Sequence, residues 1–385
     1  MSGQEPIETA FREVQATAPP AVLLPTLPGR DYHATDVYEV ERERVFAHGW
    51  MCIGRDEHLP APGDYLTREI LGEPVFVIRG KDGVVRAFAN SCRHRGTRLL
   101  DGEGTVRSAI KCPYHAWTYG FDGSLLGSPN VGENDGLVRG LFGLWELALD
   151  RHDGFLFVNL DGEASPLGSA LASMSDSPVE LARYGIDELH VGGRRTYDVA
   201  ANWKIVVENY HECLHCPVVH PELVKIVPLY RKGEVEEEGQ ALGNSMGHGL
   251  TSFTASGLSS LPPLPGLTDE DVTTFYGVYV FPNLILNYHS ETVNAVYLYP
   301  DGPERTVVVS EFLFRPETIE ADGFDPSEVV DFRDLVATQD WTVCELAQRG
   351  VRSRFYEHGV YPRHEKYLYG FNQRYLAARD AVDLA

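Results

Sequence analysis

Two short motifs of cysteine and histidine restrict the fold of this chain more than any other feature of its sequence. Cys92 and His94 form a C-x-H pair, and after a gap of 17 residues Cys112 and His115 form a C-x-x-H pair. Each pair lies on a turn between predicted strands, so two thiolates and two imidazoles can converge. Such donors can build a tetrahedral zinc site, or a two-iron cluster in which the cysteines hold one iron and the histidines the other. The spacing alone leaves both kinds of site open.

A second group of possible metal ligands lies in a predicted helix over residues 202–216 and just beyond it. His211, Glu212 and His215 spell H-E-x-x-H, the zinc metallopeptidase motif in which the glutamate is the base. His215 and His220 form a competing pair, but on one continuous helix they would diverge by about 140°. Pro217 supplies the helix break that this pair requires, and the longer zinc-binding extension of the peptidase motif is absent.

A carboxylate that completes the second pair is expected on a helix predicted near the C-terminus, over residues 326–349. The apolar side of that helix has residues at helical spacing: Phe332, Val336, Val343 and Ala347. Asp334 and Glu345 project to the opposite side, whereas Asp340 lies at the edge of the apolar side. A carboxylate there is costly to bury unless it is paired with an arginine or bound to a metal. Two histidines and Asp340 would make a facial triad, which leaves positions open for oxygen on Fe(II).

The residues around both groups resemble those of the Rieske non-haem iron oxygenase α subunits. Arg95-Gly96 and Ala116-Trp117 follow the two Cys/His pairs as in the Rieske domain of that family. Residues 212–220 resemble its mononuclear iron motif, E/D-x-x-H-x-x-x-x-H. The resemblance extends from about Tyr38 to the C-terminus. It implies an α+β protein, with an antiparallel β Rieske domain beside a helix-grip catalytic domain that has a curved antiparallel sheet.

The resemblance also implies cofactors and partners. The ligands it implies are, for a [2Fe–2S] cluster, Cys92, His94, Cys112 and His115 and, for a mononuclear Fe(II), His215, His220 and Asp340. Electrons would come from NAD(P)H through a flavin or iron–sulfur reductase, with or without a ferredoxin. O2 would then be activated at the mononuclear iron.

Glu212 gains a second role from the same resemblance. In the family, an acid at this position bridges the mononuclear iron to the Rieske cluster of a neighbouring subunit, and the cluster end of that bridge would here be His115. Asn209 is predicted to belong to the same catalytic group. Electron transfer across a subunit contact demands an oligomer, which we expect to be a homotrimer or a multiple of one.

The length of 385 residues predicts more than one core, and the sequence patterns divide the chain into three parts. We expect an arm at 1–40 that packs on the catalytic domain, the Rieske domain at 41–165 and the catalytic domain at 166–385. Residues 233–271 show no sustained period and are predicted to be a long loop, or a lid over the active site. The expected helices are 37–46, 178–184, 202–216 and 326–349, and the expected strands are 75–79, 84–89, 110–112, 275–299 and 305–315.

The composition excludes several classes of partner. A net charge of -23 disfavours binding to nucleic acid or to an anionic membrane. No apolar run approaches the roughly 20 residues that span a bilayer. Six cysteines are too few and too irregularly spaced for a disulfide framework in a chain of this length. We therefore expect a cytoplasmic protein, in which Cys213 and Cys216 are small packing residues rather than a redox dithiol.

The substrate is the least constrained prediction. The strand region 276–299 resembles the branch of the family that oxidises betaine, choline or carnitine. Its aromatic residues can supply faces for a trimethylammonium group, although aromatic residues also simply favour strands: Tyr276, Tyr279, Phe281, Tyr288 and Tyr297. The leading reaction is N-demethylation or C–N cleavage of a quaternary ammonium compound. The alternatives are hydroxylation or O-demethylation of a small aromatic acid, a zinc hydrolase, and a pure electron carrier.

Overall fold

A computed structural model describes residues 23–174, 181–235, 243–362 and 365–381. Over these residues the strands pair antiparallel in four sheets. The strands are β1 Leu24–Pro25, β2 Met51–Arg55, β3 Asp64–Ile70, β4 Glu73–Arg79, β5 Val85–Ala89, β6 Glu103–Thr105, β7 Ile110–Lys111, β8 Thr118–Tyr119, β9 Leu125–Gly127, β10 Glu146–His152, β11 Phe155–Asn159, β12 His190–Val199, β13 Asn244–Ser245, β14 Thr274–Val280, β15 Leu284–Tyr288, β16 Val293–Pro300, β17 Thr306–Phe314 and β18 Val360–Tyr361. The α-helices are α1 Thr35–Glu41, α2 Leu167–Met174, α3 Trp203–Tyr210, α4 Cys216–Val219, α5 Leu223–Ile226, α6 Asp269–Val272, α7 Pro316–Ile319, α8 Ser327–Val351 and α9 Lys366–Arg379.

The first domain is a small antiparallel β structure. Its seven-stranded sheet has the order β2-β11-β10-β5-β4-β3-β6, and β7, β8 and β9 form a second sheet that carries part of the predicted metal site. Two Asp-Gly pairs form turns in this domain, with Gly83 and Gly123 both at φ 81°. At Gly123 a side chain would also collide with Phe88, because a Cβ would lie 2.6 Å from its ring. Glycine is therefore required there both for its backbone conformation and for close packing.

The second domain is built on a curved six-stranded sheet with the order β12-β17-β16-β15-β14-β13. The long helix α8 and the shorter α3 pack against each other and against this sheet. Successive residues of a strand point to opposite faces, so one face of this sheet lines a cavity and the other packs on the first domain. The predicted α+β class, with an antiparallel β domain beside a domain whose curved antiparallel sheet packs against a long helix, is confirmed.

The two domains are joined by buried polar contacts as well as by apolar packing. The side-chain amide of Asn283 donates to the carbonyl of Cys52 and accepts from its N–H, both at 2.9 Å. Arg55 donates to the carbonyls of Ile186 (3.0 Å) and Leu189 (2.7 Å). Because these groups are withdrawn from water, each contact fixes how the two sheets meet.

The described part of the N-terminal arm packs on the second domain. Strand β1 pairs with β18, and the Tyr32 hydroxyl donates to Glu208 at 2.8 Å. Glu41, at the end of α1, is fully buried and accepts hydrogen bonds from Lys204, from Trp203 Nε1 (3.0 Å) and from the Tyr375 hydroxyl (2.7 Å). Glu41 thus belongs to the core of the second domain by its contacts, although the predicted boundary assigns it to the Rieske domain.

Several predicted elements differ from the structure in extent. The helix expected over 202–216 ends at Tyr210, and the one expected over 37–46 is α1 followed by a π-helical turn at Arg42–Ala47. Of the helix expected over 178–184, residues 178–180 lie outside the described residues and Ala182–Tyr184 form a 3-10 turn. Residues 236–242 of the predicted loop also lie outside them. No helix in the described ranges is long and apolar enough to cross a membrane.

The buried pair of Lys204 and Glu41 gives a prediction about stability. Replacing Lys204 by Met should lower the free energy of unfolding by about 3–5 kcal/mol, because the Glu41 carboxylate would stay buried without its cation. Urea unfolding followed by circular dichroism measures this loss. As a control, Asp198→Asn removes the exposed ion pair with Arg305 and should leave the unfolding curve unchanged. Equal stability of the Lys204 variant and the parent protein would contradict the prediction.

Candidate functional site

The two predicted Cys/His pairs lie on loops with the same backbone geometry. In each loop the cysteine N–H donates to the carbonyl five residues later, that of Thr97 (2.9 Å) or Trp117 (2.8 Å). The N–H four residues later, of Gly96 or Ala116, donates back to the cysteine carbonyl. Gly96 (φ 68°) and Ala116 (φ 58°) both occupy the left-handed region. A left-handed alanine is uncommon, and such strained residues cluster at functional sites.

These loops bring all four predicted cluster ligands to one tip of the β domain. Cys92 and Cys112 are buried and their thiols interact, and the rings of His94 and His115 lie 4.7 Å apart between centroids. His115 Nδ1 is buried and has no hydrogen-bond partner among the described residues. A metal cluster would satisfy this orphaned nitrogen, so the donor set fits the cluster that the motif predicts.

The local electrostatics favour the forms of these side chains that bind metal. Burial opposes ionisation of the Cys112 thiol, but the backbone N–H groups of Tyr114 and His115 outweigh it and lower its pKa. Burial and electrostatic repulsion from His94 and Arg95 lower the pKa of His115. A thiolate and a neutral imidazole are the forms in which cysteine and histidine bind a metal.

The predicted iron ligands also meet at one point. His215 Nε2 lies 3.1 Å from His220 Nε2, and Asp340 Oδ1 lies 3.2 Å from the first and 2.8 Å from the second. His215 and His220 flank the two ends of α4, and Asp340 comes from the middle of α8. Pro217 lies in the first turn of α4, where it favours a new helix start. Two imidazoles and one carboxylate in contact form one face of a metal site.

Each of these histidines is oriented through its other ring nitrogen. His215 Nδ1 donates to Glu212, whose carboxylate also accepts from the His215 backbone N–H at 3.2 Å. His220 Nδ1 donates to Gln339 Oε1 at 2.7 Å, and Gln339 in turn donates to Glu222 at 3.2 Å. Both Nε2 atoms are therefore left to face the shared point, as metal-binding histidines require.

The shared point attracts positive charge. Burial alone would raise the pKa of Asp340, but hydrogen bonds to His215 and His220 hold it below its usual value. Burial opposes protonation of His215, yet hydrogen bonds to Asp340 and Glu212 raise its pKa to about 9. An environment that stabilises a proton between these groups also suits a metal cation.

His211 lies apart from His215, His220 and Asp340, so His211 and His215 do not form the paired helical histidines of a zinc peptidase. Because α3 ends at Tyr210, His211 and His215 do not share a continuous helix. His211 Nδ1 donates to the Val207 carbonyl at 2.7 Å, and its ring stacks on Phe371 at 5.9 Å. The H-E-x-x-H letters therefore do not correspond to a helical zinc-binding face.

Cys213 and Cys216 form a disulfide, with their Cα atoms 4.9 Å apart. The prediction of two separate packing thiols is wrong in this respect, although both residues are buried in an apolar cluster. Cys216 Sγ lies 3.8 Å from His215 Nε2, and by distance alone His215, Cys216 and His220 could share an ion. Since the disulfide removes the thiolate, the better third donor is Asp340.

A cavity of about 190 Å³ opens beside these ligands. Its walls are one face of the sheet, one side of α8 and part of the predicted loop or lid. On β14 the lining residues are Phe275, Gly277 and Tyr279, at every second position. A Cβ at Gly277 would lie 2.5 Å from the Tyr210 hydroxyl, so a residue without a side chain is needed there. Asn209 and Glu212 also line the cavity.

Of the five aromatic residues predicted for the substrate pocket, only Tyr279 is among the described residues that line the cavity. Tyr276, Tyr288 and Tyr297 lie on the other face of the sheet, in the apolar cluster shared with the first domain. Phe281 packs in the core beside α3. The cavity instead uses aromatic and charged residues that the sequence analysis missed: Tyr197, Phe253, Phe275, Arg333 and Trp341. Helical spacing was a signal for Arg333, which precedes Asp340 by seven residues, or about two turns.

Comparison with known proteins decides the family. The family model described as "Ring hydroxylating alpha subunit (catalytic domain)" matches residues 186–380, and the one described as "Rieske [2Fe-2S] domain" matches residues 49–141. The chain belongs to the ring-hydroxylating oxygenase α-subunit family. The predicted family, its enzyme class and its cofactors are confirmed: a [2Fe–2S] cluster, a mononuclear iron and O2. This α subunit is an oxygenase component that works with an electron-donating reductase.

Several relatives of this α subunit have named activities. The carnitine monooxygenase oxygenase subunit of Acinetobacter baumannii is 32% identical, over 86% of this chain and 86% of its own. The glycine betaine monooxygenase oxygenase subunit of Chromohalobacter salexigens is 32% identical, over 88% of this chain and 82% of its own. A quaternary ammonium Rieske monooxygenase solved with L-carnitine has 27% identity and a TM-score of 0.72, over 92% of this chain and 96% of its own. Naphthalene 1,2-dioxygenase from Rhodococcus sp., at 21% identity and a TM-score of 0.73, shares the fold.

Proposed function

We propose that this chain is the terminal oxygenase that hydroxylates a quaternary ammonium compound of the betaine, choline or carnitine type. The observation that carries the proposal is the contact of His215, His220 and Asp340 beside a cavity with aromatic walls. Relatives named for carnitine and glycine betaine support the substrate class. A cytoplasmic location and NAD(P)H as the electron source stay predictions.

We assign the predicted ligand residues to the two metal groups. Cys92 and Cys112 would hold one iron of the cluster and His94 and His115 the other, while His215, His220 and Asp340 would hold Fe(II). When bound, these groups would supply single electrons and the activation of O2. Glu212 and Gln339 keep the Nδ1 atoms of the two histidines protonated, so that each Nε2 lone pair faces the metal position.

The reaction balances as a monooxygenation. An R–N⁺(CH₃)₃ group, O2, two electrons and two protons give R–N⁺(CH₃)₂CH₂OH and water. The carbinol then loses a proton and divides into the tertiary amine and formaldehyde. Oxygen insertion at the chain carbon next to nitrogen would release trimethylamine and an aldehyde instead. The rings of Tyr197 and Trp341, 5.8 Å apart, supply aromatic faces for the ammonium group beside Asp340.

We further propose that electrons pass between subunits of a homotrimer, from His115 of one chain to Glu212 of the next. Both ends of this route lie near the molecular surface in the isolated chain. Beside His115, Tyr114 is 56% exposed, and between the two iron-binding histidines Val218 is 86% exposed. A related quaternary ammonium Rieske monooxygenase structure, with a TM-score of 0.75, is named for inter-subunit electron transfer. A subunit contact would cover both surfaces.

The metal assignment predicts the content of the protein purified without oxygen. We expect about three iron atoms and two acid-labile sulfides per chain, with the low-temperature EPR signal of a histidine-ligated cluster after reduction. Asp340→Ala should lose about one iron and keep the sulfide. Zinc without sulfide would favour a hydrolase, and a cluster without a further iron would favour an electron carrier.

The substrate assignment predicts the products. With a compatible reductase, the oxygenase should consume O2 and convert quaternary ammonium compounds with release of formaldehyde or trimethylamine. It should not convert small aromatic acids. The measurement is identification of the products by mass spectrometry after incubation with glycine betaine, carnitine, choline or one of a set of aromatic acids. Turnover confined to the aromatic acids would replace this proposal with its alternative.

The bridging role of Glu212 predicts a specific defect. In Glu212→Gln the amide oxygen can still accept from His215 Nδ1, so both metals should be retained, but the lost carboxylate should slow product formation by about 10²-fold. Single-turnover product yield, alongside iron content, measures the two effects. Glu73→Gln, an identical change at an exposed position, serves as the control. Unchanged turnover in Glu212→Gln would leave this residue with a packing role alone.

A further inference from the structure

Arg333 gives the cavity a positive charge at a defined distance from the iron ligands. Helix α8 lines the cavity with residues at positions 333, 336, 337, 340 and 341, which share one helical side. Arg333 precedes Asp340 by seven residues, so the two side chains leave the helix on nearly the same side, about 10 Å apart along its axis. The helix therefore fixes where a charged substrate group can lie relative to the metal.

The Arg333 guanidinium forms no ion pair or hydrogen bond with any described residue. The acids beside it on α8 have other partners: Asp331 accepts from Arg195 at 2.9 Å, and Asp334 accepts from the Tyr197 hydroxyl at 2.8 Å. The guanidinium carbon lies 5.8 Å from the ring centroid of Phe253, which is buried. A cation that lines a cavity and lacks an acidic partner is suited to bind an anionic ligand group.

The charges on the cavity wall are divided between its two ends. Among the described lining residues Arg333 is the only lysine or arginine, and Glu212 and Asp340 are the only acids. Both acids contact the iron-binding histidines. His289, behind Phe253, adds no charge, because burial and the nearby Arg333 lower its pKa well below the usual value. The cavity is thus positive at the Arg333 end and negative at the iron end.

We infer that Arg333 binds the carboxylate of the substrate, which is therefore a zwitterion carrying both a quaternary ammonium and a carboxylate group. This inference rests on the proposed function and narrows it. With the carboxylate at Arg333, the ammonium group lies toward Asp340, Tyr197 and Trp341, next to the position where its C–H bond must be hydroxylated. A choline-type cation, which has no carboxylate, would leave Arg333 without an anionic partner.

The test compares ligands that share the trimethylammonium group and differ in the carboxylate. We would measure binding of L-carnitine, glycine betaine and choline to the anaerobic holoenzyme by calorimetry, for the parent protein, Arg333→Leu and Arg333→Lys. The parent should bind at least one carboxylate ligand about 10-fold or more tightly than choline. Arg333→Leu should lower the affinity for that ligand by about 10- to 100-fold and leave the affinity for choline within about 3-fold of the parent value. Arg333→Lys should lower the affinity for the carboxylate ligand by an intermediate factor.

Arg349→Leu, an exposed arginine on the same helix, is the matched control and should change none of the three affinities. The visible spectrum of the cluster reports whether each variant folds. An equal loss for choline and the carboxylate ligands in Arg333→Leu would overturn the inference and assign Arg333 to packing. If the parent bound none of the three ligands but bound benzoate through Arg333, the quaternary ammonium proposal would fail while the carboxylate site would stand.

Discussion

Two histidines five residues apart can share a metal only if the helix that carries them is interrupted, and the rest of the active site depends on this interruption. On a continuous helix their side chains would diverge by about 140°. Here α3 ends at Tyr210, and the four-residue α4 places His215 before it and His220 after it. Glu212 accepts hydrogen bonds from the backbone N–H groups of Leu214 and His215. Two of the N–H groups that have no partner within a helix, because the helix is interrupted, are therefore still hydrogen-bonded.

The fold class and the side chains that meet at the two proposed metal sites could be predicted because their signals are local in sequence. Cys92, His94, Cys112 and His115 are recognised by spacing and flanking residues, and Asp340 by its place on an amphipathic helix. The position at which α3 ends was not predicted. His211, the first residue after α3, stacks on Phe371, a contact that the local sequence does not contain. Tertiary contacts of this kind override helical propensity.

The substrate pocket was harder to predict because strands β14 to β17 carry buried apolar residues on both faces. Tyr276 and Tyr279 differ by an odd number of positions and therefore point to opposite sides. Only the tertiary arrangement shows that the side with Tyr279 is the open one, and that the side with Tyr276 meets the first domain. The Cys213–Cys216 bond also could not be predicted from the sequence, because spacing alone does not distinguish a disulfide from two packed thiols.

The burial of Glu41 against Lys204 means that the catalytic domain is assembled from two separate stretches of sequence, with the Rieske domain inserted between them. Recombination that exchanged only residues 49–141 between relatives would leave this pairing intact. A crossover that also carried α1 across would combine the arm of one parent with the helix α3 of the other. In the evolution of such proteins, the arm should therefore be inherited together with the C-terminal domain, whereas the Rieske segment can be exchanged independently.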